Sequence, residues 1–196
     1  MDRDVRLVAL CGSLRDDSKT RIALRAALAS AREAGAETEL LDLREYDLPA
    51  YDPDASEPAD AAELARAVER ADAALIGTPN YHGSYSGQLK NALDYCGRDE
   101  FGGTTVGLLE VAGGEFPTAP LDHLRSVCRT LNAWTLPTEV AIPSSRSTFE
   151  DGEIADERIA ERVATLGERA VDFAGVEEYP ELVEGRRDAV AEAVDD

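Results

Sequence analysis

VRLVALCGSLRDDSKT, Val5 to Thr20, sets the reading of the whole chain. Its first seven residues form a near-continuous apolar run of strand length, the pattern of a strand buried on both faces. The run ends on Gly12. From Thr20 to Ala34 the sequence TRIALRAALASAREA places Ile22, Leu24 and Leu28 among alanines, which predicts a helix, and Gly35 stands where a helix stop belongs. A buried strand feeding directly into a helix is the first unit of a parallel α/β sheet. The connecting loop carries two serines, an arginine and a threonine, more donor groups than a strand-to-helix turn requires.

The same alternation continues outward. Further strands are predicted at Thr38–Leu43, Asp72–Pro79, Thr104–Val111 and Thr135–Ile142. Helices are predicted at Ala59–Arg70, Gln88–Cys96, Ala119–Leu131 and Ala155–Phe173. Right-handed crossovers then give a doubly wound α/β fold, a five-stranded parallel sheet with helices on both faces. We expect one domain over residues 1–178. Residues 179–196 read as an acidic C-terminal extension, helical from Glu184.

Composition narrows the classes of function. The 196 residues are 43% hydrophobic, enough for a packed core. There are 40 acidic residues against 20 basic ones, a net charge of −20, and Lys19 and Lys90 are the only lysines. Such a surface repels nucleic acid and anionic membranes. A dispersed acidic excess with almost no lysine resembles the cytoplasmic proteins of extreme halophiles. Cys11, Cys96 and Cys128 are odd in number and widely spaced, so neither a disulfide framework nor a zinc site is expected. MDRDV has no basic leader, and no segment approaches the ~20 apolar residues of a membrane span. The expected location is the cytoplasm.

Open parallel sheets bind ligands beyond the carboxyl ends of their strands. Three loops there have unusual composition. In the first, Ser13, Ser18 and Thr20 add hydroxyls to the N-H groups at a helix N-terminus, and Arg15 adds a guanidinium fork suited to phosphate. The loop has neither the spacing of GxGxxG nor that of a Mg-nucleotide P-loop. In the second, Pro79 ends a strand, and Asn80, Tyr81, His82 and Gly83 turn the chain, with backbone groups and a flat ring available to a planar heterocycle. In the third, VAGGEF, Gly113 and Gly114 permit close backbone approach. Each loop alone is also compatible with an ordinary turn.

GSLRDDSKTRIAL, PNYHGSYSGQLKNALDY and AGGEFPTAPLDHLRSVCRTLNAW together resemble the NADPH-dependent FMN reductase family, from about Val5 to Ile142 and more weakly to Phe173. The resemblance implies a flavodoxin-like fold and FMN as cofactor, with NADPH or NADH as donor. It implies hydride transfer to FMN and onward to a flavin, quinone, azo dye or metal oxyanion, in a homodimer or homotetramer. It places the FMN phosphate at Ser13, Arg15, Ser18 and Thr20, and the rest of the flavin near Pro79, Asn80, Tyr81, His82, Gly83, Gly113 and Gly114. Asn80, His82, Ser86 and Tyr95 depart from the family's usual Glu, Asn, Pro and Trp. Tyr46, Tyr51, Tyr85 and Trp134 are candidates for a subunit interface, with core packing as the simpler role for Trp134. No catalytic acid or base and no metal ligand is expected. Two other functions remain open: an electron-carrier flavoprotein that never meets NAD(P)H, and a flavin-free interaction protein on the same fold.

Overall fold

The computed structural model describes residues 5–115 and 119–175. The expected extension 179–196, its helix from Glu184, and Phe116 of the third loop lie outside the described residues. Five parallel strands, β1 (Arg6–Cys11), β2 (Glu37–Asp42), β3 (Ala73–Pro79), β4 (Thr105–Val111) and β5 (Trp134–Ile142), form one sheet in the order β2-β1-β3-β4-β5. That order is doubly wound, so the predicted architecture is the one observed. The chain reverses between β1 and β3, and there the connecting loops diverge to leave a crevice.

The strands are buried as their sequences dictate. Every residue of β3 and β4 is buried, as befits interior strands with helices on both sides. The edge strand β5 is only intermittently buried, and it holds Pro137 where its register against β4 shifts between Val106 and Leu108. Proline lacks the N-H for an interior ladder, so an edge strand with an irregularity accommodates it. Trp134, at the start of β5, is 56% exposed and is not a core residue.

Helices α1 (Lys19–Glu33) and α7 (Glu157–Asp172) cover one face. Helices α2 (Ala59–Glu69), α3 (Gly87–Asp94), α4 (Arg98–Phe101) and α5 (Ala119–Thr130) cover the other. The Ser18 hydroxyl caps α1, and Gly35, at φ +96°, ends it with N-H bonds from Gly35 to Arg32 and from Ala36 to Ala31. The contact between α1 and α7 depends on a missing side chain. A Cβ on Gly167 would lie 2.1 Å from the Ala27 carbonyl oxygen, so only glycine lets these backbones touch.

Predicted and observed boundaries agree within about two residues, the usual scatter of helix ends. The sequence periodicity does not announce α4, the single turn α6 (Ser145–Thr148), or the hairpin of β6 (Phe149–Glu150) and β7 (Glu153–Ile154). These pieces are too short to show a period. The hairpin precedes α7, so α7 begins at Glu157 and not at Ala155.

Candidate functional site

The three loops meet. A cavity of about 530 Å³ is lined by Ser13, Arg15 and Thr20 from the first loop, Pro79, Asn80 and Tyr81 from the second, and Gly113 from the third. Asp17, Lys19 and Val111 complete those walls, and Ser145 and Arg146 of α6 close one side.

The first loop is held from below. Gly12 N-H donates to the Gly77 carbonyl at 2.8 Å, and the Ser86 hydroxyl donates to the Gly12 carbonyl at 2.6 Å. Ser86 also caps α3 by accepting from Leu89 N-H, while its own N-H donates to the Thr78 hydroxyl at 3.0 Å. Serine at this departure from the usual proline therefore staples the first and second loops together. On the other side, the buried Arg21 guanidinium donates to the carbonyl oxygens of Arg15 and Asp16. It is anchored 3.1 Å from Asp42, which Arg44 also grips at 2.7 Å. Burial pushes Asp42 up, but the hydrogen bonds and charge of Arg44, with the charge of Arg21, outweigh it and hold this carboxyl below its usual range.

The chemistry of the first loop is that of an anion cradle. The hydroxyls of Ser13 and Thr20 belong to nearly buried residues beside the cavity. The first turn of α1 contains no acidic residue in a chain that has 40 of them. Its N-terminal N-H groups and partial positive charge lie at the cavity, with Asp17, just before the Ser18 cap, as the one carboxylate in the walls. Ser18 is placed differently from the other hydroxyls. It is 2% exposed, its oxygen accepts from Arg21 N-H at 3.1 Å, and it does not line the cavity.

The second loop is a tight turn. Tyr81 and Ser84 exchange backbone hydrogen bonds, Gly83 N-H donates to Asn80 Oδ1 at 3.1 Å, and His82 and Gly83 take φ of +53° and +77°. The turn presents Asn80 and Tyr81 to the cavity and carries His82 and Gly83 outside its walls. Ser84 meets His123 Nδ1 of α5 at 3.1 Å, which fixes the far side of the loop. In the third loop a Cβ added to Gly113 or Gly114 would meet none of the described residues within 4 Å. Gly114 stands outside the walls and accepts from Ser144 N-H at 2.8 Å.

A cation- and hydroxyl-lined end and a glycine-and-tyrosine end share one cavity. Residues 5–147 match the family model described as NADPH-dependent FMN reductase. The chain belongs to the NADPH-dependent FMN reductase family. It is 36% identical over 155 residues to the FMN-dependent NADPH-azoreductase of Staphylococcus aureus, covering 74% of this chain and 82% of that protein. Among solved structures it is similar to FerB, a flavoenzyme NAD(P)H:(acceptor) oxidoreductase from Paracoccus denitrificans. The TM-score is 0.73 at 25% identity, over 86% of this chain and 96% of that one. The fold is also shared with the NADH:FMN oxidoreductase EMOB, at TM-score 0.71 and 22% identity, over 88% of this chain and 91% of that one. Membership in the FMN reductase family makes the protein an FMN-dependent NAD(P)H oxidoreductase on a flavodoxin-like fold.

Several residues at or beside the cavity, Asp17 and Val111 among them, were not singled out by the sequence. Lys19 was legible, standing between Ser18 and Thr20. Ser145 and Arg146 carried no local signal. Glu110, on β4 next to cavity-lining Val111, was visible only as an acid in the run TTVGLLEV. It is fully buried, and neither carboxylate oxygen has a hydrogen-bond partner among the described residues. Burial, with the nearby charges of Glu139 and Asp122, pushes it up to about 7. The three thiols are buried and free, and burial pushes Cys96 to about 12 and Cys128 to about 11. Thiols held in that form are not nucleophiles.

Proposed function

We propose that the three-loop cavity is where this reductase holds FMN, with Ser13, Arg15, Thr20 and the α1 N-terminus on the phosphate. Asn80, Tyr81 and Gly113 then meet the rest of the flavin. The observation that carries this reading is the convergence of the α1 N-terminus, three cations against one carboxylate, and the glycine backbone on one cavity. Ser18 serves the same site indirectly by capping α1, and His82, Gly83 and Gly114 serve it by shaping the loops. Bound FMN supplies the hydride chemistry, accepting from NAD(P)H and delivering electrons to a small acceptor of the flavin, quinone or azo class. The protein's part is to fix the cofactor, leave one face open, and set the local field. No side chain is assigned as a catalytic acid or base.

The protein works in the cytoplasm, where reduced nicotinamide nucleotides and free thiols belong. No helix among the described residues is long and apolar enough to cross a membrane. It associates as a homodimer or homotetramer, with the exposed Tyr51 and Trp134 as candidate contacts. A monomeric mass in sedimentation would remove that assignment. Its charge of −20 suits high salt, because the Debye length falls from about 30 Å at 0.01 M to about 3 Å at 1 M.

One titration tests the site and the salt reading together. FMN and riboflavin are titrated into the protein at about 0.05 M and about 2 M KCl, the range over which screening becomes nearly complete. FMN is expected to bind at least tenfold more tightly than riboflavin, with melting temperature and flavin retention both higher in the concentrated salt. Equal affinities would remove the phosphate assignment. Equal stability and retention at both ends would remove the halophilic one and leave the family assignment standing.

A further inference from the structure

Arg146 lines the cavity from a part of the chain far from the phosphate loop, and the structure shows how it is brought there. Helix α6 is tied to the third loop by Ser145 N-H to the Ala112 carbonyl at 3.0 Å, and the preceding Ser144 N-H bonds Gly114. It is tied to α1 by Lys19, whose Nζ donates to the Ser145 carbonyl at 2.5 Å and lies 5.9 Å over the Phe149 ring. Lys19 thus latches the phosphate-loop helix to the turn that carries Arg146. The Arg146 and Arg15 guanidinium groups are both exposed at the cavity, and neither makes an ion pair with a described residue. The walls hold Arg15, Lys19 and Arg146 against one carboxylate, Asp17, in a chain where acids outnumber bases two to one. A local excess of two positive charges matches a phosphate monoester, which carries about −1.5 to −2 at pH 7.

We propose that Arg146 is the second guanidinium of the phosphate site. It reaches the phosphate from α6 while Arg15 reaches it from the first loop, with the Lys19–Ser145 latch holding α6 in place. The inference rests on the reading of the cavity as the FMN site. Its chemical content is specific: a planar fork of donors reaches the phosphate from α6, and a ligand without phosphate gains nothing from it.

The test compares dissociation constants for FMN and riboflavin, from quenching of flavin fluorescence, in wild type, Arg15→Ala, Arg146→Gln and Arg146→Lys. Arg146→Gln is expected to weaken FMN about tenfold or more and to leave riboflavin within about twofold. Arg146→Lys should recover part of the loss, because it keeps the charge and loses the fork. If Arg15→Ala weakens FMN and Arg146→Gln does not, the two-arginine clamp is wrong and the cavity reading survives. If Arg146→Gln weakens both ligands equally, Arg146 acts on loop structure and the clamp is again wrong. If wild type binds FMN and riboflavin alike, the reading of the cavity itself fails, and the clamp with it.

Discussion

Glu110→Gln is expected to stabilise the protein at pH 8 by on the order of 3 kcal/mol and by far less at pH 5. Glu110 sits on β4, paired across the sheet with Thr78 and Ala141, fully buried and with both oxygens unpartnered among the described residues. Its nearest charged neighbours make matters worse. Glu139 is committed to Arg125 at 2.7 Å, and Asp122 adds a further negative charge. The folded protein therefore holds the Glu110 proton up to about pH 7, against an ordinary value of 4.5. Between those values the folded state binds a proton that the unfolded state has released, so stability falls as pH rises through this window and levels off above it. Glutamine removes the titration. The shift in melting temperature at pH 8 should be about 5–10 °C for a chain of this size. Asp42 has the opposite sign: held below its usual range, it adds stability that is lost as pH falls through its folded value. The informative quantity is therefore the difference between wild type and variant across pH. Parallel melting curves from pH 5 to pH 8 would show that Glu110 is not a buried titrating acid.

Gly113→Val is expected to weaken FMN binding by about 10- to 100-fold while the protein folds normally. The two halves of this expectation have separate grounds. A Cβ at Gly113 would meet none of the described residues within 4 Å, so they leave room for the branched side chain. Gly113 lines the cavity between Val111 and the Ser145–Arg146 turn, where the open space is assigned to the flavin. Valine would occupy it. Flavin content of the purified variant, measured beside its far-UV circular dichroism, separates a binding defect from a folding defect. A folded variant with full FMN would move the ring away from Gly113.

Much of this fold is legible because its interior strands are buried on both faces. VRLVALC and DAALIGTP are too apolar to lie anywhere but mid-sheet, and Gly35 marks the end of α1 at the position where it takes positive φ. The site is legible to the extent that one residue type has one use. Arg15 and Gly113 line the cavity as the loop chemistry requires. Ser18 shows the limit: a serine before a helix can bind a ligand or cap the helix, and here its oxygen is taken by Arg21 N-H. Arg21 falls within the predicted helix with nothing in the sequence to single it out, and its side chain turns back under the loop to Asp42. Ser145 and Arg146 were illegible for a different reason. Their position depends on bonds to Lys19 and Ala112, distant in sequence, and a single helical turn has no periodicity to read.

The central claim is that the cavity at the strand ends holds FMN so that NAD(P)H can reduce it. The most direct measurement is anaerobic mixing of the FMN-loaded protein with NADPH, and separately with NADH, followed at ~450 nm, where oxidised flavin absorbs. Prompt bleaching by at least one donor, with colour returning when a quinone is added, is the expected result. An FMN-loaded protein that keeps its oxidised spectrum with both donors, at low and at high salt, would contradict the claim and mark the protein as an electron carrier that does not react with NAD(P)H.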